Sequence, residues 1–199
     1  MLQHAMTKER FQRAVEEFDR MNAADPRRSD VEGVDRPYEL VQAERLSAWI
    51  ERLDPHASEA LRLAARCQHL RRWEIPRSDW PLGRAGYLQW RTRLARFHAD
   101  ESASVLRAAG YDEEVVDHVR RINLKQGLRS DPDVQTMEDA LCLSFMEHEL
   151  EGFSEKHTDD KIVEILRKTW KKMSARGHEA ALALPLSPRL AKLVGDALA

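Results

Sequence analysis

The chain has 199 residues, with 32 Lys and Arg against 34 Asp and Glu and a net charge of −2. That length suffices for one well-filled core, and the balanced charge excludes a uniformly basic nucleic-acid-binding domain. A charged fraction of 33% with no apolar run near the roughly 20 residues of a bilayer span excludes a membrane protein. Two cysteines, Cys67 and Cys142, are too few for a disulfide framework and read as reduced core residues.

The N-terminus, MLQHAMTKERF, lacks the apolar segment of a signal peptide, so the expected location is cytoplasmic. Met6 reads as an alternative start, which makes residues 1–6 a leader or disordered N-terminus and 7–199 a single helical domain. Thr7 is the expected cap of a first helix carrying Phe11, Ala14, Val15, Phe18 and Met21 at helical spacing to about Asn22. The polar segment AADPRRSDVEGVDRP then reads as a long loop ending at Pro37, in the first turn of a second helix. That helix, about Tyr38 to Leu53, is apolar almost all round, with Glu39 and Glu44 among its apolar residues.

Asp54 followed by Pro55 is a cap-and-proline start for a third helix to about Trp73. A proline- and glycine-containing loop leads to a fourth helix, about Gly86 to Ala109, stopped by Gly110. Asp112 caps a fifth, and Asp131 with Pro132 opens a sixth that runs to about Phe153 with apolar residues on two faces. Thr158 caps a seventh through Met173, and two short helices follow, the second starting at Ser187 and Pro188. No strand-like alternation or internal repeat is visible, so the expected fold is an all-α compact domain of about eight helices.

Three polar residues interrupt apolar helical faces: His69, His98 and Asp139. Neutral imidazoles with one or two carboxylates are the usual ligands of zinc, manganese or iron in helical enzymes, and Glu39 would complete such a set. A buried carboxylate such as Asp139 is costly without a cation, a metal or strong donors. The competing reading makes these residues a buried hydrogen-bond network. Glu147 is a candidate general base.

Between Arg62 and Arg96 every basic residue is arginine, opposed only by Glu74 and Asp79. Arginine holds planar anions through paired hydrogen bonds, so Arg72 and Arg77 are candidate phosphate ligands. Trp73, Trp80, Tyr87 and Trp90 alternate with Arg72, Arg77, Arg84 and Arg91, a pattern that suits a nucleotide or RNA; Trp73 is the candidate stacking residue. The same tryptophans would equally anchor the loop to the core. The chain has no Walker loop, GxGxxG, HExxH or GxSxG, which removes the commonest nucleotide-fold and protease readings.

The runs RPYELVQAERLSAWIERL, SEALRLAARCQHLRRWEIPR, GYLQWRTRLARFHA, EDALCLSFMEHEL and ILRKTWKKMS resemble an uncharacterised family of about 200-residue proteins, a domain of unknown function. Some of its members are labelled glutamyl-tRNA synthetase-like, although this chain has no synthetase nucleotide-binding signature. More remotely, the sequence is similar to the HD superfamily of metal-dependent phosphohydrolases, in which a His-Asp pair ends a helix after an alanine-rich run. Here that run is AARCQHL, and the pair falls on Gln68 and His69. The superfamily's later histidine resembles His98 and its distal aspartate Asp139, while its upstream histidine is replaced by Glu39 or, alternatively, Glu44.

The resemblance implies an HD-like fold and a divalent metal, zinc, manganese or iron, held by His69, His98, Asp139 and Glu39. The expected activity is hydrolysis of a phosphate ester or nucleotide. The alternatives are a non-catalytic module that binds a nucleotide, RNA or protein through a degenerate site, and an oxygen-activating iron site. The expected partner is an anionic small molecule or nucleotide, with RNA as the other candidate and no membrane.

Overall fold

The computed structural model describes residues 2–198, with side chains from Lys8 onward. Apart from one two-stranded hairpin the described chain is all-α, with ten α-helices and two short 3-10 turns. α1 spans Leu2–Ala23, β1 Arg28–Val31, β2 Val34–Pro37, α2 Tyr38–Leu53 and α3 Glu59–Cys67. α4 spans Gly83–Ala108, α5 Glu113–Asn123, α6 Pro132–His148, α7 Leu150–Ser154, α8 Asp159–Trp170, α9 Ala175–Leu182 and α10 Pro188–Leu198.

The first helix begins at Leu2, so Thr7 lies inside it and not at its start, and residues 2–6 of the expected leader belong to the same helix. The hairpin is the second departure. Its strands, RSDV and VDRP, are polar and half exposed, so no apolar alternation announces them. The turn does the work: Glu32 and Gly33 both take left-handed φ values, 54° and 82°, and Asp30 Oδ1 accepts the Gly33 N–H at 3.0 Å. Two consecutive left-handed residues are the geometry that matches the twist of a tight antiparallel pair.

The caps at Asp112, Asp131 and Thr158 are where the sequence places them, each side chain accepting a backbone N–H of the first turn. Asp54 is not a cap. It ends α2, its N–H donating to Ile50 O, while Ser58 Oγ accepts from Leu61 N at 3.0 Å and starts α3. α3 closes at Cys67, and Arg71, at φ 52°, turns the chain into the 3-10 segments Arg72–Glu74 and Arg77–Asp79. His69 therefore sits on a turn and not on a helix. α6 ends at His148, because Glu149 leaves helical geometry at φ −122° before α7 begins.

α2 and α3 pack side by side, with α1 across both and α6 against α2. α5 bridges α3 and α4, α9 lies on α6, and α10 on α8. Phe18, Leu46, Ile50, Leu61, Leu63, Leu106, Ile122, Met137, Leu143 and Met146 fill the shared core. No described helix is long and apolar enough to cross a membrane.

Candidate functional site

One face of α2 presents Tyr38, Glu39, Gln42 and Leu46, and one face of α6 presents Glu138, Leu141, Ser144 and Phe145. Both sets follow the three- and four-residue spacing that aligns side chains on a helix. These faces border a cleft of about 330 Å³. Gln68, His69 and Arg72 from the turn after α3, Arg91 from α4, Lys125 after α5, Glu149, and Thr169 and Lys172 at the end of α8 complete its lining.

Glu39 is held in place by the chain just before the hairpin. Arg27 Nη2 donates to Glu39 Oε1 at 2.6 Å and to Asp25 Oδ2 at 2.8 Å, and Asp25 Oδ2 accepts the Glu39 N–H at 3.1 Å. Burial nevertheless pushes the Glu39 carboxyl above its ordinary range, against the lowering effect of Arg27. Its second oxygen, Oε2, is buried without a hydrogen-bond partner and lies 3.6 Å from His69 Nδ1.

His69 and His98 meet edge to face, ring centroids 5.9 Å apart. His98 is buried behind His69, and its Nδ1 lies 2.8 Å from Leu70 O. A carbonyl only accepts, so Nδ1 carries the proton and Nε2 offers a lone pair that no protein group uses. Desolvation lowers the pKa of His98 to about 4 and that of His69 well below the usual imidazole value, with Arg72 adding to both. About a quarter of the His69 side chain remains open. Both rings are neutral at pH 7.

The cleft carries more positive than negative charge. Glu138 pairs with Lys125 and, at 3.7 Å, with Lys172. Glu149 Oε2 accepts from Tyr38 Oη at 3.3 Å, and burial raises the pKa of both groups, that of the phenol to about 12. Arg72 lies over the Trp90 ring and 3.9 Å from Glu39, and desolvation of its guanidinium lowers its pKa. Arg91 is exposed at the rim.

Of the expected metal ligands, Glu39 and His69 line the cleft and His98 stands behind them, but Asp139 is elsewhere. Asp139 is fully buried on the side of α6 that meets α9, where its carboxylate accepts from Ser174 N at 2.8 Å, Ser174 Oγ and Gln135 Nε2. Its charge is met there by donors from the chain itself. Glu44, the alternative to Glu39, is engaged by both terminal nitrogens of Arg36 at 2.8 Å, away from the cleft.

The expected substrate groups divide in the same way. Arg72 lines the cleft. Arg77 donates to Trp80 O and Pro81 O, both at 2.9 Å, and holds its own loop together. Trp73 borders a separate depression with Arg71, Glu74 and Glu101. Glu147 lies on the outer surface beside His148 and Arg52 and does not reach the cleft. Trp90 is buried and donates its Nε1 proton to Ile75 O at 2.8 Å, so it is a loop anchor.

Among the described residues, the group of His, Cys, Asp or Glu side chains close enough to share one ion is His118, Asp131 and Asp133, with His118 Nε2 3.3 and 3.5 Å from the two carboxylates. These carboxylates have local work. Asp131 caps α6, and Asp133 Oδ2 accepts from Ser58 Oγ, the cap of α3. Two helix N-termini with their partial positive charge converge here, which suits anions and opposes a cation.

A family model described as Domain of unknown function (DUF4202) matches residues 12–194. The chain belongs to this family. No curated protein and no solved structure matches it. In this DUF4202 domain the cleft-lining residues that the sequence pattern does not single out include Gln42, Lys125, Glu138, Ser144, Glu149 and Lys172, while Arg91 belongs to the arginine and aromatic alternation. Of the former, Glu138 alone carries a sequence signal, being a charged residue on a helix with two apolar faces, next to Asp139.

Proposed function

We propose that the DUF4202 domain binds a phosphorylated small molecule in this cleft and hydrolyses its phosphate ester. The observation that carries the reading is the convergence of Arg72, Arg91, Lys125 and Lys172 on a cleft whose deep wall holds a buried carboxylate and two neutral imidazoles. Cationic side chains around a partly desolvated pocket favour a phosphate far more than they would in open water. The resemblance to HD phosphohydrolases supports the same reaction class.

Glu39 Oε2 and His98 Nε2 are buried and unpartnered and have the donor chemistry of metal ligands, but Glu39, His69 and His98 are not spaced to share one ion in this structure. The His98 Nδ1–H bound to a backbone carbonyl is also the arrangement that orients an imidazole for a metal. Arg72 and Arg91 would bind the phosphate, and Lys125 and Lys172 would offset charge that builds on it. Glu149 lines the same cleft and burial makes its carboxyl more basic, which supports assigning to it the general-base role expected of Glu147.

A second reading, binding without hydrolysis, is favoured by two observations: Arg27 already neutralises Glu39, and Asp139 is committed to α9. Phosphate release from p-nitrophenyl phosphate and nucleoside monophosphates, with zinc, manganese or ferrous iron added to chelated protein, separates the two. Release that depends on added metal and falls at least 100-fold in Glu39→Gln and Glu149→Gln supports hydrolysis. Binding without release under every metal supports the second reading, and absence of binding overturns both.

A further inference from the structure

Beyond charge, the cleft contains polar side chains that the fold leaves unused. Gln42 on α2, Gln68 at the end of α3 and Ser144 on α6 are 5%, 7% and 3% exposed, and all three line the cleft. Gln42 Nε2, Gln68 Oε1 and Ser144 Oγ each lack a hydrogen-bond partner. An amide donor, an amide acceptor and a hydroxyl thus remain unsatisfied beside one cavity.

Folding normally pairs buried polar atoms, and the exceptions require an explanation. Apolar residues at these three positions would suit the fold equally well, because α2 and α6 already contribute Leu46, Leu141 and Phe145 to the same walls. The unsatisfied atoms are what a pocket looks like when its hydrogen-bond partners arrive with the ligand. Donor and acceptor together, next to an aromatic ring and a cationic rim, match a planar group that itself carries adjacent donor and acceptor atoms.

We infer that Gln42, Gln68 and Ser144 read the hydrogen-bonding edge of a nucleobase, so that the ligand of this cleft is a nucleoside monophosphate and not a simple sugar phosphate. The inference rests on the proposed phosphate site, which supplies the anchor for the other end of the molecule. The cleft volume of about 330 Å³ falls at the small end of ligand pockets, in keeping with one base, one sugar and one phosphate.

Calorimetric titration of the full chain with ribose 5-phosphate and with the nucleoside 5′-monophosphates tests it, alongside Gln42→Met and Gln68→Met. At least one nucleotide should bind ten or more times more tightly than ribose 5-phosphate. Each Met variant should lose most of that preference while keeping the wild-type affinity for ribose 5-phosphate. In the same variants without ligand the Tm should hold or rise, because an unpaired buried amide has been replaced by an apolar side chain of similar size.

A preference below threefold for every nucleotide, or a preference that survives both substitutions, overturns the inference while leaving the phosphate site standing. A fall in ligand-free Tm in both variants also overturns it, since it would show the amides to be structural. Failure of ribose 5-phosphate and every nucleotide to bind the wild-type protein removes the proposed function itself.

Discussion

Glu138 and Asp139 are neighbours on α6, both buried, and they belong to opposite regions of the molecule. Asp139 faces α9, where backbone and side-chain donors of Ser174 and the amide of Gln135 surround it. The fit is closed: a Cβ on Gly177 would come within 2.7 Å of the Asp139 carboxyl. Glu138 faces the cleft, where its partners Lys125 and Lys172 are partly exposed and flanked by unpaired polar atoms. A buried charge whose donors all come from the fold holds the fold together; a cleft left with free donors and acceptors is available for a ligand.

The largest effect should come from opening the closed side. Asp139→Ala strands the donors of Ser174 and undoes the seat of α9, at a cost of about 3 kcal/mol. For a chain of this size that lowers Tm by roughly 6–12 °C. Phosphate-ligand affinity per folded molecule should change less than threefold. A loss of binding in protein that is still folded would transfer Asp139 to the site and erase the contrast.

Next in size is the acid response of the cleft's deep wall. His98 has a folded pKa of about 4 against 6.5 for an ordinary histidine, so between these values the unfolded chain binds a proton that the native state refuses. Stability is then complete above about pH 6.5 and declines as pH falls toward 4, by up to about 3 kcal/mol. Urea unfolding at pH 7 and pH 4.5 should show His98→Gln losing less stability than wild type across that interval. An identical slope would mean that His98 is not buried and neutral.

Smaller still are the effects expected at the arginine loop. Arg72→Met should weaken ribose 5-phosphate binding about tenfold, equivalent to about 1.4 kcal/mol, by removing a desolvated guanidinium from the cleft. Arg77→Ala should leave binding unchanged and cost about 1 kcal/mol of stability through its two carbonyl contacts. Glu147→Gln, on the outer surface, should alter both by less than 0.5 kcal/mol. Chemical denaturation and titration of the three variants side by side check this ordering.

Most of the fold was legible because it is written in local chemistry. Asp112, Asp131 and Thr158 announce helix starts by residue type, and apolar residues on more than one face of α2 and α6 identify them as central. The hairpin escaped because its strands bury no apolar face and its geometry resides in Glu32 and Gly33. Asp54-Pro55 imitates a helix start four residues before the real cap at Ser58, and at its other end α3 closes at Cys67, which leaves His69 on a turn.

The site was legible only in part, for a geometric reason. Glu39 and His69 interrupt apolar patterns and could be singled out. On α6, however, both faces are apolar, so periodicity cannot tell whether position 138 or 139 faces the cleft; adjacent residues differ by about 100° around the helix. Lys125 and Lys172 come from separate elements and look like ordinary surface charges until the fold brings them to one cleft with Arg91. The conspicuous Arg-Trp loop, by contrast, spends Arg77 and Trp90 on holding itself in place.

The central claim is that the cleft between α2 and α6, through Arg72, is where a phosphorylated ligand binds. Calorimetric titration of wild type, Arg72→Met and Arg77→Ala with ribose 5-phosphate and the nucleoside 5′-monophosphates tests it most directly. The account predicts binding by wild type and Arg77→Ala with equal affinity, and a tenfold or greater loss in Arg72→Met at unchanged Tm. Equal affinity in all three, or loss in Arg77→Ala instead of Arg72→Met, would contradict it.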